Sequence, residues 1–343
     1  MAVPRNVFID TCIFERLKFT YDAQALFAFR RVAKSRGVTL LLPAPIEHEI
    51  ERHLGLRVEG AVRSMQKLVK EAPFLRCWDK WSIDPKETFL PWTLRSVARK
   101  EWKEFLREFS VRRLDYNGIS IPEIMGWYED GRAPFGKAKK KYEFPDAFAV
   151  AMLAQYSRQA GQVVAIITCD RDIESACDFH AELLYFSSPA KYAEALLSDD
   201  ARMEQARSIL ETSQTSIQEA ISRETECLDF DILELAVDSL EVECADVEIG
   251  EMSVTGFGEA DFLVYFEAYA YVLLSYEFSE VDPEAGYFSM RDKAEHEFRV
   301  TGALKLGLTE GDDMSHEVVY VSLDSPSDTV LVSVVGAEDQ YVY

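Results

Sequence analysis

The sequence predicts two architectures in tandem. An α/β domain, with a parallel sheet flanked by helices and a helical insertion, precedes a mostly antiparallel β domain. Short uninterrupted apolar runs alternate with amphipathic stretches through the first half, as in a parallel sheet buried on both faces. After about residue 225 the apolar period changes to two, as in strands with one solvated face. Charge changes with it: residues 1–195 carry 30 basic and 26 acidic side chains, and residues 196–343 carry 7 and 34. The net charge of −23 is thus confined to the second half, leaving the first half free to meet a polyanion.

A chain of 343 residues is long enough for roughly two domains of about 150 residues. No apolar run reaches the ~18 residues of a membrane span. The start, Met1 to Arg5, lacks a charged-then-apolar leader, so a cytoplasmic protein with no membrane partner is expected. The six cysteines are scattered without a Cys-x-x-Cys pair, which argues against a zinc ribbon or disulfide framework. Cys12 and Cys169 flank acidic positions, where a nucleophilic thiol is one reading, but strand alternation predicts both as buried, reduced thiols.

The elements follow in order. Val7-Phe8-Ile9 is a strand, Asp22 to Ser35 an amphipathic helix, and Val38 to Leu42 a second strand. A helix begins near Pro45, tolerated in a first turn, and runs to about Lys70 with Glu49 and His53 on one face. Residues from about 80 to 141 are rich in Trp, Arg and Lys without a strand signal, and are expected to be a helical insertion. Phe144 to Tyr156 is a helix, while Val163 to Ile167 and Leu183 to Phe186 are strands. The α/β domain is placed at residues 1–190 and a polar helical connector at 191–224. The acidic β-rich domain fills 225–343, with strands at 237–249, 262–269, 317–323 and 329–335.

Four acid-bearing segments carry the chemistry. Asp10 ends a buried strand at the carboxyl edge of the sheet, where open α/β folds bind ligands; the alternative is a helix N-cap. Glu47 and Glu49 are about 200° apart on a helix, so only one can face such an edge. Glu49 follows Ile46 by three and is preferred, with Glu47 in reserve; His53 reads as a neighbour of Glu49 or as packing. Asp146 opens an apolar helix after Pro145, where dipole complementarity would also explain it. Asp170 and Asp172 follow a strand, and one helix cap needs only one of them. Hard divalent cations are the natural partner for such oxygens. A phosphoaspartyl hydrolase would want an acid where Cys12 stands, and a receiver domain a lysine absent from Ile166 to Arg171.

In combination, Phe8-Ile9-Asp10-Thr11-Cys12, Pro43 to His53, Phe144-Pro145-Asp146-Ala147-Phe148 and Ile167-Thr168-Cys169-Asp170-Arg171-Asp172 resemble a PIN domain, the metal-dependent nuclease fold, over about residues 5–190. The resemblance is to the larger bacterial branch with Lys-rich sequence just before Phe-Pro-Asp. It implies a PIN-like parallel sheet and an acidic quartet of Asp10, Glu49, Asp146 and Asp170 holding Mg²⁺ or Mn²⁺. Asp172 would adjoin the quartet, and Thr11 and Thr168 would orient carboxylates or water. An endoribonuclease is the implied activity. The rival readings are a DNA-directed or structure-specific nuclease in a toxin or defence system, and an inactive scaffold that binds RNA or protein.

The loop containing Arg132, Lys137, Lys139, Lys140 and Lys141 ends just before Asp146. With Arg171 it is expected to contact phosphates, the alternative being a solvated loop. The five tryptophans either stack on unpaired bases or, for most, pack in helical cores. The acids of the β domain are expected to coat the solvent face of its alternating strands, or else to bind a regulatory protein partner or occupy the basic loop in place of nucleic acid. Its dense tyrosines point to a sheet packed on both faces, as in a homodimer.

Overall fold

The computed structural model describes residues 3–72, 74, 77, 90–136, 143–232, 235, 237–282, 286–308, 318–324 and 329–332. The chain forms two units, residues 1–22 with 29–192 and residues 23–28 with 193–343. Among the described residues no helix is long and apolar enough to cross a membrane.

The first unit is built on five parallel strands: β1 (Asn6–Ile9), β2 (Thr39–Pro43), β3 (Ser110–Leu114), β4 (Val164–Ile167) and β5 (Leu183–Phe186), in the order β3-β2-β1-β4-β5. From β1 the chain steps outward through β2 to β3, then returns to the other side of β1 for β4 and β5. The order therefore reverses between β1 and β4, the switch point at which open parallel sheets bind ligands. β1 and β4 are buried along their whole length, in keeping with their unbroken apolar sequences. Their register pairs Ile9 with Ile167, so the residues following both strands emerge at one level.

The helices are α1 (Thr11–Arg16), α2 (Gln24–Arg36), α3 (Ala44–Glu71), α4 (Pro91–Arg107), α5 (Ile121–Asp130), α6 (Phe144–Ala160), α7 (Arg171–Cys177) and α8 (Pro189–Leu196). α3 buries Ile46, Ile50, Leu54, Val58 and Val62, one apolar row with i, i+4 spacing. α6 ends where Gly161 takes a left-handed φ of 62°, the usual glycine stop. α4 belongs to the expected insertion and anchors through Trp102 and Phe105, whose rings pack against Phe14 and Tyr21.

The insertion contains a strand where none is expected. β3 pairs parallel with β2, Thr39 opposite Ser110. It is an edge strand with Arg112 and Arg113 exposed, so it needs no apolar run and leaves no hydrophobic signal.

In the second unit, β7 (Val237–Phe257), β8 (Asp261–Asp282), β9 (Gly286–Gly307) and β10 (Val318–Leu323) form an antiparallel sheet in the order β10-β9-β8-β7. β9 was not foreseen from sequence: its Arg291 to Glu297 stretch is too polar to read as a strand. A separate parallel pair joins β6 (Asp229–Ile232) to β11 (Thr329–Val332). The stretch read as a connector folds largely into α9 (Met203–Thr212) and α10 (Gln214–Glu226). These helices bury Met203, Ile209, Ile217 and Ile221 against Phe262, Val264, Phe266 and Leu304. The even-numbered side chains of β8 from Phe262 to Tyr276 are thus buried, and Tyr269 on the other face is 39% exposed.

Candidate functional site

The ladder between β1 and β4 runs on past the strands: the Asp10 amide donates to the Ile167 carbonyl at 2.9 Å. Thr168, directly after β4, donates its hydroxyl to Asp10 Oδ2 at 2.7 Å and accepts from the Asp170 amide at 2.9 Å. One buried hydroxyl therefore fixes a carboxylate on one strand end and the backbone turn on the next. Asp10 stands at the N-cap position of α1, yet its side chain makes no capping hydrogen bond. Burial pushes its pKa up to about 6, with the charge of Asp170 acting the same way, against lowering hydrogen bonds from Cys12, Thr168 and the Thr11 amide.

α3 supplies the second acid. Glu49 lies beside the buried row begun by Ile46, and Thr11 Oγ1 donates to its Oε2 at 3.2 Å. Arg52 Nη2 and His53 Nε2 lie 3.4 and 3.5 Å from Glu49 Oε1, and His53 Nδ1 also pairs with Glu15. Glu47 is turned elsewhere: both its oxygens meet Arg113 Nε, at 3.0 and 3.1 Å.

α6 supplies the third. Asp146 lies in its first turn. Its carboxyl is pushed up to about 9, first by burial, then by a hydrogen bond shared with Glu143 and by the charges of Asp10, Glu49 and Glu143. Asp146 is thus the electrostatic meeting point of Asp10 and Glu49. Glu143 was not singled out from sequence. It occupies the N-cap position of α6 without capping, and the signal available for it was its i, i+3 spacing to Asp146, which places the two on one face.

Asp170 differs from Asp10 and Asp146 in having an ordinary structural use. Its Oδ1 accepts from the Asp172 amide at 2.6 Å and caps α7. Asp172 meets Asp170 through its backbone amide, and Arg171 between them is exposed. The Arg132 guanidinium lies over the rings of Trp127 at 5.4 Å and Phe179 at 4.6 Å, so its cation is engaged in packing. Lys137, Lys139, Lys140 and Lys141 lie outside the described residues.

The expectation that Cys12 and Cys169 are both buried is not met: Cys12 is half-buried and Cys169 is exposed. Strand alternation stops at Ile167, so it says nothing about a residue in the following turn. The Cys169 amide donates to Cys12 Sγ at 3.1 Å, and Cys12 Sγ lies 3.4 Å from Thr168 Oγ1. The hydrogen bond from Cys12 lowers the Cys169 thiol to about 7.

Among the described residues no three His, Cys, Asp or Glu side chains stand as a ready-made ligand set. The carboxylates are nevertheless coupled. Burial is the main cause that raises Asp10 and Asp146, with the charge of Asp170 adding to the first and those of Asp10, Glu49 and Glu143 to the second, a concentration of acid that a bound cation would offset. The donors are carboxylate oxygens, the preference of Mg²⁺ and Mn²⁺, so the chemistry of the residues fits such an ion.

The family model of the PIN domain matches residues 7–173. Those residues are a PIN domain. The match begins in β1 and ends in α7, and so spans every acid just described. No curated protein matches the chain. The PIN domain is a nuclease fold, commonly metal-dependent, which agrees with acids gathered at the switch point of its sheet.

Proposed function

We propose that the chain is a metal-dependent nuclease that hydrolyses phosphodiester bonds in RNA, with Asp10, Glu49, Asp146 and Asp170 holding Mg²⁺ or Mn²⁺. The observation that carries the reading is that buried Asp10 and half-buried Asp146, both at helix starts, are carboxyls whose pKa values are raised and that the charge of Asp10 acts on Asp146. Asp10 moreover makes no capping hydrogen bond. Buried charge of one sign without a structural use is a cost that functional sites retain. A bound divalent cation would activate water and stabilise negative charge developing on the phosphodiester.

The protein's own groups have separate tasks. Thr168 holds Asp10 and Thr11 holds Glu49, each through a hydroxyl hydrogen bond. Asp170 keeps α7 capped through Oδ1, and its Oδ2, which takes no part in that bond, would be the oxygen available to a cation. Glu143 shares a hydrogen bond with Asp146, whose raised pKa favours a protonated carboxyl; a bound cation would compete with that proton. Asp172 and Arg171 are assigned to the rim, the arginine as a phosphate contact.

The test is a panel of labelled single-stranded RNA, structured RNA, single-stranded DNA and duplex DNA, each incubated with Mg²⁺, Mn²⁺ or EDTA. Cleavage of RNA that EDTA abolishes is the expected result. Preferential cutting of DNA would move the reading to a DNA-directed nuclease, and no cutting with either metal would leave a binding scaffold.

A further inference from the structure

The four lysines of the basic loop expected to hold phosphates lie outside the described residues, and Arg132 packs on aromatic rings. A different basic surface lies on α4. Arg95, Arg99, Lys103 and Arg107 follow one another at i+4 and are exposed. At 1.5 Å per residue they span about 18 Å of helix, drifting round the axis but staying on one side. Together with Trp92 they line a single groove.

Trp92 is 69% exposed, whereas Trp102 and Trp127 are 3% and 4% exposed. Of the described tryptophans it is the one presenting a ring to solvent, and it does so at the end of a row of cations. Arg95 pairs with Glu59, and Arg99 with Glu51 at 3.4 Å; these pairs fix two guanidinium groups along the seam with α3. Among the described residues Lys103 and Arg107 have no acidic partner. The seam is continuous with the acidic site, because Arg52, 3.4 Å from Glu49, lines the same hollow as Arg95 and Arg99.

We propose that α4 is a docking track for single-stranded nucleic acid, in which Arg95, Arg99, Lys103 and Arg107 contact phosphates, Trp92 stacks on an unpaired base, and Arg52 passes the strand to Glu49. The track deepens the nuclease reading and rests on it for the class of substrate. Phosphate contacts give affinity without reading sequence. A single exposed ring selects strands whose bases are free to stack.

Binding is measured by fluorescence anisotropy on the full chain in EDTA, so that no cleavage occurs. The probes are a labelled single-stranded RNA, the DNA of the same sequence and the RNA duplex, each over a salt series. The double variant Lys103→Gln/Arg107→Gln is expected to bind single strands at least tenfold more weakly at low salt. Its slope of log affinity against log salt is expected to be shallower by about 1.4, two contacts at about 0.7 each. Trp92→Ala is expected to lose about tenfold on single strands with the slope kept, and Lys103→Arg/Arg107→Lys to bind like wild type.

Unchanged affinity and slope in both loss variants, or no binding of either single strand by the wild type, would overturn the track. Preference for duplex with a silent Trp92→Ala would overturn the single-strand assignment. Failure of the track with metal-dependent cleavage retained leaves the nuclease reading standing. Strand binding without cleavage under any metal removes the nuclease reading alone.

Discussion

Thr168 Oγ1 lies 2.7 Å from Asp10 Oδ2, across the seam between the adjacent strands β1 and β4 of the parallel sheet. The same oxygen accepts from the Asp170 amide at 2.9 Å. A buried hydroxyl is therefore the joint between the acids of β1 and β4, and its loss has predictable effects. Thr168→Val keeps the shape but strands a buried carboxylate and a backbone amide, a cost of about 1–3 kcal/mol. Urea denaturation should show that loss, together with at least tenfold slower cleavage. Thr168→Ser should recover most of both, and wild-type behaviour in the valine variant would remove the joint from the account.

Asp170 allows capping to be separated from charge. Asn caps helices about as well as Asp, while Ala does not. Asp170→Asn is expected to leave stability within about 0.5 kcal/mol and abolish most cleavage, whereas Asp170→Ala should lose about 1 kcal/mol as well. An active Asp170→Asn enzyme would reduce this residue to a cap.

Glu47 and Glu49 should behave oppositely. The Glu47 pair with Arg113 is largely solvent-facing, Arg113 being 59% exposed, so Glu47→Gln should cost at most about 1 kcal/mol and spare activity. Glu49→Gln should lose activity without unfolding. Cleavage assays with thermal melts on both proteins decide it, and the reverse pattern would exchange their roles.

The metal-free protein should become less stable as pH rises. Asp146 moves from an ordinary 3.8 to about 9, and Asp10 to about 6. Between the unfolded and folded values the native state holds more protons than the unfolded chain, so stability falls through that window. Melting temperatures in EDTA should decline from about pH 5 towards pH 9, and less steeply in Asp146→Asn. Added Mg²⁺ should raise the melting temperature more at pH 8 than at pH 6, because protons compete for the same oxygens. Equal increments at both pH values would argue against a carboxyl ligand set.

What the sequence disclosed follows from burial. β1 and β4 were legible because both faces are covered, which forces an unbroken apolar run. β3 was not, because an edge strand carries Arg112 and Arg113 without penalty, and β9 was hidden by the charges between Arg291 and Glu297. At the site, Asp10 and Asp146 stood out by ending or opening apolar segments. Glu143 did not, since its part depends on a neighbour three residues on. The basic row on α4 escaped notice because its i+4 spacing is interleaved with the apolar side of the same helix, so no cluster of cations marks it in the linear chain.

The central claim is that carboxylates at the switch point of the sheet cut a phosphodiester. Single-turnover cleavage of labelled RNA in Mg²⁺ by wild type, Asp10→Asn and Asp146→Asn tests it most directly, with circular dichroism confirming that each protein is folded. The account predicts a fall of about 100-fold or more in both folded variants; cleavage at the wild-type rate in either would contradict it.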